Sequence, residues 1–200
     1  MSSDWNLDAP VMELVDIGGR EAKLILDCGA SYGKFAFLAK FSHIYSLKPN
    51  RPEVVATELF LPYLKALRRW VEYPVRASCT YLPFCDGVFD LAFLCEVLEH
   101  LTKDDGNRAL EEIRRVSRRQ IITTPKKVHE QPELDGNPLQ VHRSQWVKED
   151  FKSFGLSIYP SRNALVATNI PNQYFPPFLV RLGRRFLPAP IRRSIKRFLT

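Results

Sequence analysis

The segment LILDCGASYG, residues 24–33, runs from an apolar stretch into a turn bracketed by Gly29 and Gly33. Glycine has no Cβ, so backbone in such a turn can approach a ligand closely, and the helix it opens presents free N–H groups to a polar one. The turn is not a full GxGxxG, because Ser31 stands where a second glycine would be. It is not GxxxxGK[ST] either, because Phe35 follows Lys34, so no magnesium-nucleotide loop is indicated. On these residues alone a purely structural turn fits as well as a binding one. Glu58 adds a carboxylate at the end of the next apolar run. An acid there can accept two hydrogen bonds from a ribose diol, and it also suits a helix N-terminus. Among the histidines, His142 lies at a loop-to-helix junction. Its neutral ring could accept a proton near pH 7, or it could simply support the junction. His100 reads as a pocket or structural residue, and His129, in a polar loop, takes no role. Glu96, Glu99 and His100 come from one local turn and make a poor ligand set, so no metal site is expected.

These residues need a scaffold that alternates short strands with helices. Residues 22–28, 54–57, 73–78, 88–95 and 120–124 read as strands. Near-continuous apolar runs of this kind suit a parallel sheet covered on both faces. Helical spacing falls between them at 33–41, where Phe37, Leu38 and Phe41 share a face, at 60–70, and at 104–118, where Leu110, Ile113 and Val116 do. A short strand within 43–47 is a further option. Residues 126–144 read as a surface loop, 144–154 as a helix capped by Ser144, and 156–159 with 164–169 as an antiparallel strand pair. This alternation predicts an α/β sheet with crossover helices.

The chain's 200 residues, 45% hydrophobic and 26% charged, fit a folded domain and exclude wholesale disorder. No apolar run reaches the roughly 18 residues of a membrane span. The N-terminus lacks a basic stretch before an apolar one, so a cytoplasmic protein without a secretory signal is expected. Cys28, Cys79, Cys85 and Cys95 form no CxxC pair and read as reduced, mostly buried thiols. The net charge of +7 is uneven. Residues 1–150 hold 20 Lys and Arg against 22 Asp and Glu, whereas 151–200 hold nine basic residues and no acidic one. In residues 174–200 seven cations interleave with Phe178, Leu182 and Phe186, then with Ile191, Ile195 and Phe198, at helical spacing. Pro188 and Pro190 separate the two stripes. Such an extension can lie on an anionic membrane surface, can pack on the domain, or, less readily, can bind nucleic acid.

Taken in order, several segments resemble the class I S-adenosylmethionine-dependent methyltransferase superfamily, in its small-molecule or lipid-type branch. LILDCGASYG resembles that family's first motif, and SCTYLPFCDGVFDLAFLCEVLEHL its recognisable middle block. RRVSRRQIITTP resembles the helix and fifth strand that follow, and VHRSQWVKEDFKSFGL the next helix, so the resemblance covers about residues 20–170. It implies a Rossmann-like, mostly parallel seven-stranded sheet with helices on both faces. The domain would occupy residues 1–173 and a basic amphipathic extension 174–200. S-adenosyl-L-methionine would be the cofactor. Asp27, Gly29, Ala30 and Gly33 would line its methionine part, Glu58 its ribose, and Leu59, Ser78 and Cys79 its adenine. Cys95, Glu96 and His100 would lie near the sulfonium and the substrate, and His142, from its own chemistry and position, is the candidate general base. The implied activity is methyl transfer to a small-molecule, glycan or lipid-linked acceptor. Two departures bear on it: Ser31 replaces the middle glycine, and Ser78 stands where an acid often bonds the adenine. They keep open a catalytically silent interaction module. The fourth strand reads FLCEVLEH and lacks the (N/D)PP(Y/F) motif of many amino-methylating enzymes, which lowers the case for a nucleic-acid substrate.

Overall fold

The computed structural model describes residues 8–18, 21–45, 52–69, 71–127 and 130–171. Seven strands form one sheet in the order β3-β2-β1-β4-β5-β7-β6. They are β1 (Leu24–Cys28), β2 (Glu53–Thr57), β3 (Tyr73–Val75), β4 (Leu91–Cys95), β5 (Gln120–Pro125), β6 (Ser157–Tyr159) and β7 (Ala164–Thr168). The first five pair in parallel, and β7 runs antiparallel to both β5 and β6. The expected terminal strand pair is therefore present, and the sheet is α/β and Rossmann-like. Contacts divide the chain into one unit up to Ile170 and a second from Pro171. The expected basic extension, 174–200, lies outside the described residues.

Side chains alternate across a strand, so the apolar runs feed two cores. On one face Ile25, Phe93 and Ile121 pack with Val11, Leu14 and Val15 of α1 (Asp8–Gly18) and with Phe35, Ala36 and Ala39 of α2 (Lys34–Tyr45). Leu67 of α3 (Leu61–Leu67) joins the same cluster. On the other face Leu26, Leu94 and Ile122 pack with Leu110, Ile113 and Val116 of α4 (Lys103–Val116) and with Trp146. Helix α4 is well specified locally. Thr102 Oγ1 accepts the Asp105 N–H at 3.2 Å, acids occupy its first turn, and Arg114 and Arg115 its last. That arrangement satisfies a terminal donor and suits the helix dipole.

Four local expectations need correction. Helix α1 is absent from the sequence reading, although Val11, Leu14 and Val15 have helical spacing and are at most 1% exposed. In α2 the buried face is Phe35, Ala36 and Ala39, while Phe37 is 54% exposed. The Ala36 N–H donates to Asp27 Oδ2 at 2.9 Å, which sets the rotation of the first turn. Residues 43–45 close α2 and do not form a strand. Ser144 does not cap a helix: a 3-10 helix starts later, at Lys148, and Asp150 Oδ2 accepts the Val147 N–H at 2.8 Å.

Gly106 is where α4 and Trp146 meet. A Cβ on Gly106 would lie 2.2 Å from Trp146 Cζ2. Alanine would ordinarily strengthen a helix interior by about 1 kcal/mol, but here the rigid indole must move. Gly106→Ala is therefore expected to lower stability by about 1–3 kcal/mol, read as an earlier midpoint in urea denaturation.

Candidate functional site

The chain runs outward from β1 through β2 to β3 and then returns to β4 beside β1. A crevice opens at such a reversal, beyond the carboxyl ends of the strands. A cleft of about 290 Å³ is found there. Gly29 follows β1, Glu58 follows β2, Ser78 and Cys79 follow β3, and Glu96 follows β4; all five line it. Leu59 and His100 line it too. The turn after β1 is tight: the Gly29 and Ala30 N–H groups both donate to the Thr57 carbonyl, at 2.9 and 3.0 Å. Gly29 has φ +71°, and a Cβ there would lie 2.5 Å from Val97 Cγ2. Both its conformation and its close packing therefore require glycine.

Glu58 is 8% exposed and is held from two sides. Oε2 accepts the Ser31 N–H at 2.9 Å, and Oε1 accepts the Phe60 N–H at 2.8 Å. Each carboxylate oxygen keeps a further lone pair, and the group borders the cleft, so it fits a ligand that offers a pair of hydroxyls. Ser31 has φ +50°, a left-handed conformation that favours glycine.

Four other expected contacts lie elsewhere. Asp27 is 1% exposed and Cys95 4%, and neither is among the cleft-lining residues. Asp27 pairs in register with Phe93, and Phe93 and Cys95 belong to the core beneath α1 and α2. Strand alternation thus turns both away from the cleft. Burial pushes the Asp27 carboxyl up to about 7, against the pull of the Ala36 N–H, and the charge of Glu58 adds to the rise. Ala30 and Gly33 shape the turn without lining the cleft.

At the far end, the 3-10 turn Leu98–His100 meets the segment 141–146. The Glu99 carbonyl accepts the N–H groups of Arg143 and Ser144, at 2.7 and 3.1 Å. The Leu98 carbonyl accepts Ser144 Oγ–H and Trp146 Nε1–H, each at 3.1 Å. His142 is thereby brought to His100, with ring centroids 4.9 Å apart, although it does not itself line the cleft. Burial, then the neighbouring His142, drives the His100 imidazole down to about 4. Burial, then Glu96, holds the Glu99 carboxyl well above the usual range.

The sequence reading missed the contribution of the long loop. Asn137, Gln140 and Arg143 line the cleft. Asp135 and Gly136 have φ +55° and +68° within a turn that bridges Leu134 to Asn137. The Asp-Gly pair was a usable signal for such a turn. Asp135 Oδ2 accepts the hydroxyls of Tyr32 and Tyr63, at 3.2 and 2.9 Å, tying the loop to the glycine turn and to α3.

Residues 26–120 match the sequence profile of the family described as "Methyltransferase domain". That span, 95 of the chain's 200 residues, carries the likeness to methyltransferase domains. A relative, an uncharacterized protein of Methanocaldococcus jannaschii, is 36% identical over 94 residues, 46% of this chain and 35% of that one. The match thus spans about a third of the relative's length. Solved structures share the fold. A 1,6-didemethyltoxoflavin-N1-methyltransferase of Burkholderia thailandensis, bound to 1,6-didemethyltoxoflavin and S-adenosylhomocysteine, is 19% identical with a TM-score of 0.61, over 84% of this chain and 78% of that one. A SAM-dependent methyltransferase of Aquifex aeolicus is 19% identical with a TM-score of 0.58, over 86% and 94%. The [4+2]-cyclase SpnF is 17% identical with a TM-score of 0.54, over 76% and 58%.

The buried Asp27 makes the stability of the fold depend on pH. Its folded pKa, about 7, lies above the ordinary 3.8. Between these values the unfolded chain releases a proton that the folded chain retains. Stability therefore falls by about 1.4 kcal/mol per pH unit across that window and levels off above it. Asp27→Asn removes this slope while keeping an acceptor for the Ala36 N–H. Urea denaturation at pH 5 and pH 7.5 is expected to show the wild type losing stability relative to the variant as pH rises.

Proposed function

We propose that the chain binds S-adenosyl-L-methionine in this cleft and transfers its methyl group to a small-molecule acceptor. The observation that carries the reading is Glu58: a carboxylate fixed by two backbone N–H groups, across from the bare backbone of Gly29, at the reversal point of the sheet. The match of residues 26–120 to a methyltransferase-domain profile and the shared fold of cofactor-dependent methyltransferases support it. When bound, the cofactor supplies an electrophilic methyl on a sulfonium. Glu58 would hold the ribose hydroxyls, Leu59, Ser78 and Cys79 would flank the adenine, and Gly29 would let the chain's backbone approach the methionine part. Glu96 and His100 would position the acceptor, whose nucleophile must lie in line with the reacting carbon. His142, beside His100, would accept the acceptor's proton.

Within the acceptor class, a glycan or lipid-linked molecule is our finer proposal. It rests on the basic, apolar-striped sequence 174–200, which suits an anionic membrane surface. No helix among the described residues is long and apolar enough to cross a membrane. A silent interaction module is the second reading. It is favoured by Ser78, whose Oγ pairs with Thr80 Oγ1 at 2.8 Å and brings no charge to the adenine side.

Calorimetry with S-adenosylmethionine and S-adenosylhomocysteine tests the cofactor. Binding is expected, with Glu58→Gln weakening it about ten- to a hundredfold through loss of charge-assisted hydrogen bonds. Absence of binding for both ligands would overturn the proposal. Labelled methyl transfer into fractionated extracts separates the two readings, since a silent module binds without turnover in any fraction. Flotation of the full chain with anionic vesicles, lost when the chain stops at residue 173, is the outcome expected for the membrane proposal. Equal flotation of both chains, or none, refutes it.

A further inference from the structure

Glu99, His100 and His142 converge beside the cleft, which His100 lines. One ligand atom from each lies within 4.8 Å of the other two. Glu99 is 1% exposed, and its Oε2 accepts Thr124 Oγ1–H at 3.1 Å. His100 Nδ1 lies 3.4 Å from the Val141 carbonyl, and in the tautomer that donates there Nε2 holds the lone pair. The segment carrying His142 is pinned by the bonds from Arg143 and Ser144 to the Glu99 carbonyl. The Glu99 and His100 side chains are thus oriented by partners outside the cluster, as ligand side chains at metal centres are, and backbone bonds fix the segment that carries His142. Glu96 adds a second carboxylate on the cleft side, and Arg143 lines the cleft as well.

We propose that Glu99, His100 and His142 bind a single first-row divalent transition-metal ion. Two imidazoles with one carboxylate suit zinc, cobalt, iron(II) or manganese, whereas magnesium and calcium prefer all-oxygen sets. Atoms bound to one ion at about 2.1 Å lie no more than about 4.2 Å apart, so small side-chain rotations close the set. Three protein ligands leave a coordination position for an acceptor oxygen, and His100 borders the cleft through which that oxygen would reach it.

The use of the ion rests on the methyl-transfer reading. It lowers the pKa of an acceptor hydroxyl, as metal ions do for bound water, and His142 then serves as a ligand in place of a general base. The hydroxyl proton goes to solvent and the oxygen–methyl carbon bond forms. The carbon–sulfur bond breaks with its electron pair retained on sulfur, which leaves as a neutral thioether.

The test is titration of the full-length, chelator-treated chain with Co²⁺, followed by visible absorption and by paramagnetically shifted imidazole protons. One equivalent is expected, with shifted signals from two histidines and no thiolate charge-transfer band, which excludes the exposed Cys85 as a ligand. His142→Ala and Glu99→Gln are each expected to weaken binding at least about a hundredfold. Thr124→Val, which keeps every ligand, should weaken it about tenfold. No saturable binding below about 1 mM, a thiolate band, or unchanged binding in His142→Ala overturns the site. The wild-type signals decide the matter even if a variant fails to fold. Cofactor binding is measured separately in chelator. Cofactor binding in chelator together with no saturable Co²⁺ binding overturns this site alone. Metal bound without cofactor upholds the site and overturns its use in methyl transfer.

Discussion

The indole N–H of Trp146 donates to the Leu98 carbonyl at 3.1 Å, and this bond joins the two halves of the candidate site. Leu98 begins the turn after β4, whereas Trp146 follows the long loop that comes after β5. Trp146 is fully buried, its ring lies over Gly106 of α4, and Lys103 Nζ sits 4.0 Å from the ring centroid. A large side chain locked in this way makes the position of the loop end a property of the core. Arg143 and Ser144 then add their N–H groups to the Glu99 carbonyl, and His142 has little freedom to be anywhere but beside His100. The chemistry at the acceptor end thus depends on packing behind it.

The other end of the cleft follows from the parity of the strands. Ile25 and Asp27 point toward α1 and α2, Leu26 and Cys28 toward α4. Asp27 therefore supports the glycine turn from beneath by holding the Ala36 N–H, while the turn itself carries the bare backbone to the cleft. Its pKa is raised in spite of that bond, because the carboxyl lies in the core, away from solvent.

The sheet was legible because continuous apolar runs separated by amphipathic helices admit few other arrangements. The glycine turn and Glu58 were legible because each sits at the end of such a run. Three features were not, for distinct reasons. The face of α2 is set by Asp27 and not by its own weakly patterned apolar residues, and Phe37 misleads because it is large and exposed. Ser144 has the side chain of a helix cap, but its hydroxyl donates to a carbonyl 46 residues away in sequence. The cluster of Glu99, His100 and His142 spans two segments, so spacing within either one cannot reveal it.

Fold alone leaves the chemistry open, since a [4+2]-cyclase shares this architecture. The residues at the strand ends must decide it, and Ser31 is an instructive one. A side chain where the motif has glycine suggests impaired binding when read from sequence. In the structure Ser31 takes the left-handed conformation anyway, and its N–H meets Glu58 Oε2 at 2.9 Å. The strain, of order 1–2 kcal/mol for a residue with a Cβ, is localised where it orients the carboxylate. The substitution thus keeps the geometry that the glycine turn exists to provide, and the departure from the motif weighs less against ligand binding than its sequence suggests.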